Sequence, residues 1–237
     1  MEVVFWASMI SALGTLIGGI VGILISKPSK IMVSKLNGFA AGVMVEVVFI
    51  EIIPSALEKI ALNIVIVYSF FGLIVMILLS NLYEERKKEK DLFLKMALFT
   101  TLGIMVHNFP EGIIMGVGFA FSTGLGAKMS LIIAAHDVPE GLVVAASLKS
   151  CRINTYKIIA LLILVAVPTV LGTFIGIQMG FISEIYLGIL LSIVSGIMLY
   201  ITFFELMKSS IVLSDYYVTF KSIACGIILG LVINIFL

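Results

Sequence analysis

MALFTTLGIMVHNFPEGIIMGVGFAFSTGLGA, residues 96–127, runs for 32 positions in which only His107 and Glu111 can carry a charge. A helix crosses roughly 30 Å of hydrocarbon with about 20 apolar residues. The stretch is therefore long enough to span a bilayer with a histidine and a glutamate inside it. At its centre is HNFPEG (107–112), and 29 residues later HDVPEG (136–141) repeats the His, Pro, Glu and Gly inside a second apolar run, 129–148.

The rest of the chain has the same character. Charged residues make up 12% of the 237 and hydrophobic ones 61%, with a mean hydropathy of +1.24. A soluble domain carries about 25% charged residues, which leaves too little polar surface here for a water-soluble globule. Cys151 and Cys225 form no disulfide framework and match no zinc-motif spacing. Residues 1–26 lack the basic start of a signal peptide and are expected to remain as a span. Charges divide the chain into eight apolar segments, near 3–26, 36–58, 60–83, 96–121, 129–148, 158–180, 185–207 and 217–237. The expectation is an all-α integral membrane protein, one transmembrane domain over 1–237 with eight spanning helices.

Lysine and arginine orient it. With the N-terminus outside, the loops after spans one, three, five and seven face the cytoplasm and hold thirteen of the fifteen cations, leaving only Lys59 and Lys128 outside. The positive-inside rule then puts both termini outside the cytoplasm, in the plasma membrane. YEERKKEKD (83–91) reads as a solvated cytoplasmic linker.

The chain also resembles itself. LGTLIG (13–18) returns as LGTFIG (171–176) at an offset of 158. Gly42, Met44, Phe49 and Glu51 return as Gly196, Met198, Phe203 and Glu205 at an offset of 154. Spans one to three thus repeat as six to eight, upside down, around spans four and five. Inverted repeats are a transporter signature, with the substrate site at their interface near the midplane.

In each motif His and Glu are four residues apart and share a helix face. The proline between them removes the partner of the carbonyl of Val106 or Ala135. Such backbone is tolerated at membrane depth only when buried in protein or lining a cavity. His107 lies about 18 Å into its span from Lys95, and Glu140 about 18 Å from Lys128, so both reach the central bilayer. Glu46, Glu51, Glu111, Asp137, Glu140 and Glu205 lie in spans that contain no Lys or Arg within them. Each intramembrane charge costs about 2.5–3.5 kcal/mol on insertion scales, so protons or a bound cation must compensate. His107, Glu111, His136 and Glu140 form a two-nitrogen, two-oxygen set that suits zinc or ferrous iron rather than magnesium or calcium. Asn108 and Asp137 can hold a second ion or shape the first shell. Glu51, toward the outer end of span two, and Glu205, toward the inner end of span seven, are candidate mouths of one pathway.

These motifs resemble those of the ZIP (Zrt/Irt-like protein) metal transporters over essentially the whole chain. HNFPEG fits the family's fourth-helix motif residue for residue, and HDVPEG fits the fifth. FAAGVMVEVVFIEIIPSALE (39–58) and SGIMLYITFFEL (195–206) are similar to its second and seventh helices. The resemblance implies that His107, Asn108, Glu111, His136, Asp137 and Glu140 line a transport site for divalent transition metals, with Glu111 and Glu140 able to bridge two ions. Zinc is the first expectation, with iron(II) or cadmium as alternatives, as cargo rather than catalytic cofactor. Two features depart from the family. Many prokaryotic members carry a sixth-helix glutamate before a proline, whereas here Val167 precedes Pro168 and 158–183 holds no acid. The loop between spans three and four lacks a histidine-rich run.

A membrane-embedded metal-dependent hydrolase is the alternative, since zinc held by His and Glu activates water. The absence of H-E-x-x-H and the doubled motif weigh against it. A metal sensor without passage is a third reading. No nucleic-acid partner is expected. Gly14-x-x-x-Gly18 and Gly172-x-x-x-Gly176 permit close helix packing within a chain or in a homodimer.

Overall fold

Polar caps start the helices just outside the apolar runs. The Ser29 hydroxyl accepts from the Met32 amide (3.2 Å), Ser122 from Leu125 (3.1 Å), Asn154 from Tyr156 (2.9 Å) and Asp215 from Val218 (2.8 Å), each meeting an otherwise orphaned N–H. The computed structural model describes residues 2–86, 92–179 and 183–236. Those residues contain no strand and eight helices long and apolar enough to cross a membrane. They are α1 (Glu2–Leu24), α2 (Lys30–Leu57), α3 (Leu62–Arg86), α4 (Leu92–Phe121), α5 (Thr123–Ser150), α6 (Thr155–Gln178), α7 (Glu184–Leu213) and α8 (Tyr216–Phe236). Residues 87–91 of the charged linker lie outside the described residues.

The observed helices overrun the apolar segments, most clearly α2, which begins six residues before 36, and α7, which continues six beyond 207. Hydropathy marks where the membrane is, and a helix continues until a cap or a turn stops it. Two stretches are π-helical, Val47–Ile52 in α2 and Ile201–Met207 in α7. Their starts are 154 residues apart, and each holds a glutamate, Glu51 or Glu205.

The helices pair. α1 packs along α5, α4 along α6, α2 along α8 and α3 along α7. Each pair meets at glycines so close that a Cβ would strike the partner's backbone. Gly18 faces the Val138 carbonyl and Gly172 the Phe109 carbonyl; Gly141 faces Thr15 and Gly112 faces Thr169. Gly42 faces Ile223 and Gly196 faces Ser69. All these pairs map onto one another by shifts of 154 between the flanking helices and 29 between α4 and α5. The match at 158 is therefore one helical turn out of the register that the contacts use. In a sequence with glycine every fourth residue, such a slip preserves the Gly-x-x-x-Gly pattern and is invisible. Both Gly-x-x-x-Gly faces are filled from within the chain, Gly14 and Gly18 by α5, Gly172 and Gly176 by α4.

α4 and α5 are among the most buried helices, and α3 and α8 the least. A helix that buries little of an apolar surface fits a lipid-facing rim, so the motif helices occupy the middle.

Candidate metal site

α4 and α5 run through their prolines, Pro110 and Pro139, as continuous helices. Their motif faces meet at the centre. His107 Nε2 lies 3.2 Å from Glu140 Oε2 and 3.8 Å from Glu111 Oε1, and His136 Nε2 lies 3.3 Å from Glu111 Oε1. Each imidazole thus approaches the glutamate of the other helix, a crossed pair related by the same shift of 29. His107, Asn108, Glu111, His136, Asp137 and Glu140 are all buried, none more than 5% exposed.

Two of the six are anchored by outer helices. Asn108 Nδ2 donates to the Val165 carbonyl of α6 at 3.0 Å, and Asp137 Oδ2 accepts from the Ser11 hydroxyl of α1 at 3.3 Å. These contacts are also images, 11 and 165 being 154 apart. Each leaves one oxygen, Asn108 Oδ1 or Asp137 Oδ1, buried without a hydrogen bond. The carboxylate oxygens of Glu111 and Glu140 and both ring nitrogens of each histidine also lack one, the crossed contacts being close but poorly angled. Buried polar atoms are nearly always satisfied, and a concentration of orphaned nitrogen and oxygen donors is what a cation would satisfy. Donor atoms of Glu111, His136 and Asp137 lie within 4.8 Å of one another. Asp137 therefore stands with Glu111 and His136 rather than behind them, and the mixed donors suit a borderline metal such as zinc.

A cavity of about 620 Å³ reaches this cluster, with Glu111 and His136 in its wall and Glu58, Lys59, Lys128 and Glu184 around its mouth. Glu51 lies on its side, where Oε1 accepts from Asn234 Nδ2 of α8 at 3.0 Å. Glu205 is half-buried in α7 and does not line it. Glu46 is 2% exposed, with Oε1 lacking a hydrogen bond and Oε2 against Gly230 of α8.

Sequence reasoning missed Ser11 and Asn234. Each is a single polar residue in an apolar helix, and only its partner's position gives it meaning. Val167 is corrected. It lies on the exposed face of α6, as does Leu13 on α1, because the face turned to Asn108 carries Val165 and Thr169. A glutamate at 167 would point away from the cluster, so Val167→Glu is expected to add no second metal site.

Curated relatives align with this chain, two of them over most of it. "Zinc transporter ZupT" of Chlorobium chlorochromatii is 27% identical over 250 aligned positions, covering 94% of this chain and 93% of the relative. The protein of the same name from Corynebacterium aurimucosum is 26% identical, covering 85% and 84%. That of Salmonella paratyphi A is 32% identical over 143 positions, covering 55% of this chain. The family model described as ZIP zinc transporter matches residues 83–234, a stretch that contains both motifs. With eight apolar helices and a buried His, Glu and Asp cluster, the chain is a multi-pass membrane protein that belongs to the ZIP family of metal transporters, and not an enzyme.

Proposed function

We propose that the protein carries zinc, or another divalent transition metal, across the plasma membrane toward the cytoplasm through His107, Asn108, Glu111, His136, Asp137 and Glu140. The observation that carries the reading is the crossed His–Glu cluster at the end of a wide cavity, full of orphaned donors and, among the described residues, paired with no Lys or Arg. The relatives' name, zinc transporter, supports zinc as cargo. Sealed vesicles containing the protein and a zinc-sensitive dye test it. A saturable rise in internal zinc, absent from empty vesicles, is expected. A protein that binds zinc but moves none is a metal sensor instead.

The 154 shift supports an inverted repeat of α1–α3 and α6–α8 around α4 and α5, working as one unit over 1–237. It joins helix pairing, glycine contacts, π segments and the Ser11 and Val165 anchors in a single register. The cation count supports both termini outside, which turns the cavity outward. Glu51 is then the outer station and Glu205 its inner image. Glu51→Cys should react with an impermeant thiol reagent added from outside, whereas Glu205→Cys should be protected there. Two positions unreactive from both faces would remove them from the pathway.

Charge sets the stoichiometry. Two dications bring +4, whereas Glu111, Glu140 and Asp137 supply −3 at most, and α6 adds no acid. One well-filled ion is expected, with any second ion near Asn108 and Asp137 weaker and completed by water. Anomalous scattering at limiting zinc measures this, and two equally filled peaks would refute the charge argument.

A further inference from the structure

At the opposite ends of the helices from the wide cavity is a void of about 20 Å³, room for about one water. Its lining is the cavity's lining seen through the repeat. A shift of 154 converts Lys30, Val33 and Ser209 of the void into Glu184, Leu187 and Ser55 of the cavity. A shift of 29 converts Met96, Ser147 and Ser150 into Leu125, Gly118 and Phe121. The void is therefore the closed image of the open cavity.

In the seam around the void, Val33, Met96, Ala97 and Leu213 make part of the lining apolar, and Ser147, Ser150 and Ser209 bring hydroxyls to it. The Ser147 hydroxyl is buried without a hydrogen bond, although it lines the void. Asn37, 1% exposed, donates to the Ser209 hydroxyl at 2.8 Å and leaves Oδ1 unpartnered. A buried polar group without a partner is one that water or an ion can satisfy.

We infer that this seam is the exit half of the pathway: an oxygen-lined passage for a partly hydrated divalent cation, opened when α5 separates from α7 and α2, with Asn37, Ser147 and Ser209 on its walls. The inference rests on the transport reading above. Neutral oxygens hold a dication weakly, which suits a route that must release its ion.

The test uses the full chain with Cys151 and Cys225 changed to alanine. Ser147→Cys and Ser209→Cys together should form a disulfide on mild oxidation and lose at least tenfold in zinc uptake, restored by reduction. Zinc binding by the oxidised protein should remain, because the outer cavity is untouched. Failure of the pair to join, or unchanged uptake once joined, overturns the seam. Ser147→Cys alone should react with an impermeant maleimide from the cytoplasmic face and not from the outer face. The reverse pattern also overturns it. This labelling needs no transport, so a protein that moves no zinc while Ser147→Cys still labels from inside refutes the transport reading and keeps the seam open to water.

Discussion

Changing Glu111 and Glu140 together to alanine is expected to lower zinc uptake more than about 100-fold in a protein that still inserts. The two carboxylates supply four of the orphaned buried donor oxygens and both crossed contacts to the histidines. Without them only Asp137 carries negative charge in the cluster, and a dication there would sit with a net excess of positive charge in a poor dielectric. Changes behind a metal's direct ligands cost about 10–100-fold. Ser11→Ala, which removes only the hydrogen bond to Asp137, should therefore fall within that smaller range. Uptake into sealed vesicles, normalised to inserted protein, measures both. Normal uptake by the double variant would remove the cluster from the pathway.

Gly172→Leu should have a large effect on folding. A Cβ at Gly172 meets the Phe109 carbonyl oxygen, the Ile113 amide nitrogen at 2.9 Å and the Gly112 carbonyl carbon at 3.1 Å, all backbone of α4. Overpacking a core typically costs 1–3 kcal/mol. Here the obstacle is a helix backbone that cannot rotate aside, so about 3 kcal/mol or more is expected. It also displaces the turn that carries Glu111. Leu171→Val, on the exposed neighbour, should stay within about 0.5 kcal/mol of the parent. Thermal unfolding in detergent compares them, and equal midpoints would show that α4 and α6 are not in tight contact at this point.

The sequence made the spans legible because charge is sparse in the hydrocarbon and crowded outside it. It left the helix ends illegible, since Lys30 and Lys35 break an apolar window without breaking a helix. The six cluster residues were legible because His, Pro, Glu and Gly recur at fixed spacing in two stretches where each is costly. Ser11 and Asn234 carry no such local mark, and their importance comes from residues 126 and 183 positions away. The facing of Val167 was hidden because the slot before Pro168 fixes a place along the chain and not a direction around the helix, which only the burial of Val165 and Thr169 reveals. Nothing in VVFIEI or ITFFELM announces a π turn, which depends on hydrogen bonds between backbone atoms common to every residue.

Those π turns make pathway chemistry a matter of counting as well as identity. Each residue advances an α-helix by about 100°, and a π turn accommodates one residue more than an α turn. The surplus in Val47–Ile52 sets the direction of everything after it in α2, including Ser55 and Glu58. The surplus in Ile201–Met207 does the same for Ser209 in α7. Losing a single residue from either stretch would leave the composition almost unchanged and swing a whole lining toward lipid. The lengths of these two helices are therefore under tighter constraint than most of their side chains, and a change of frame within them matters more than most changes of letter.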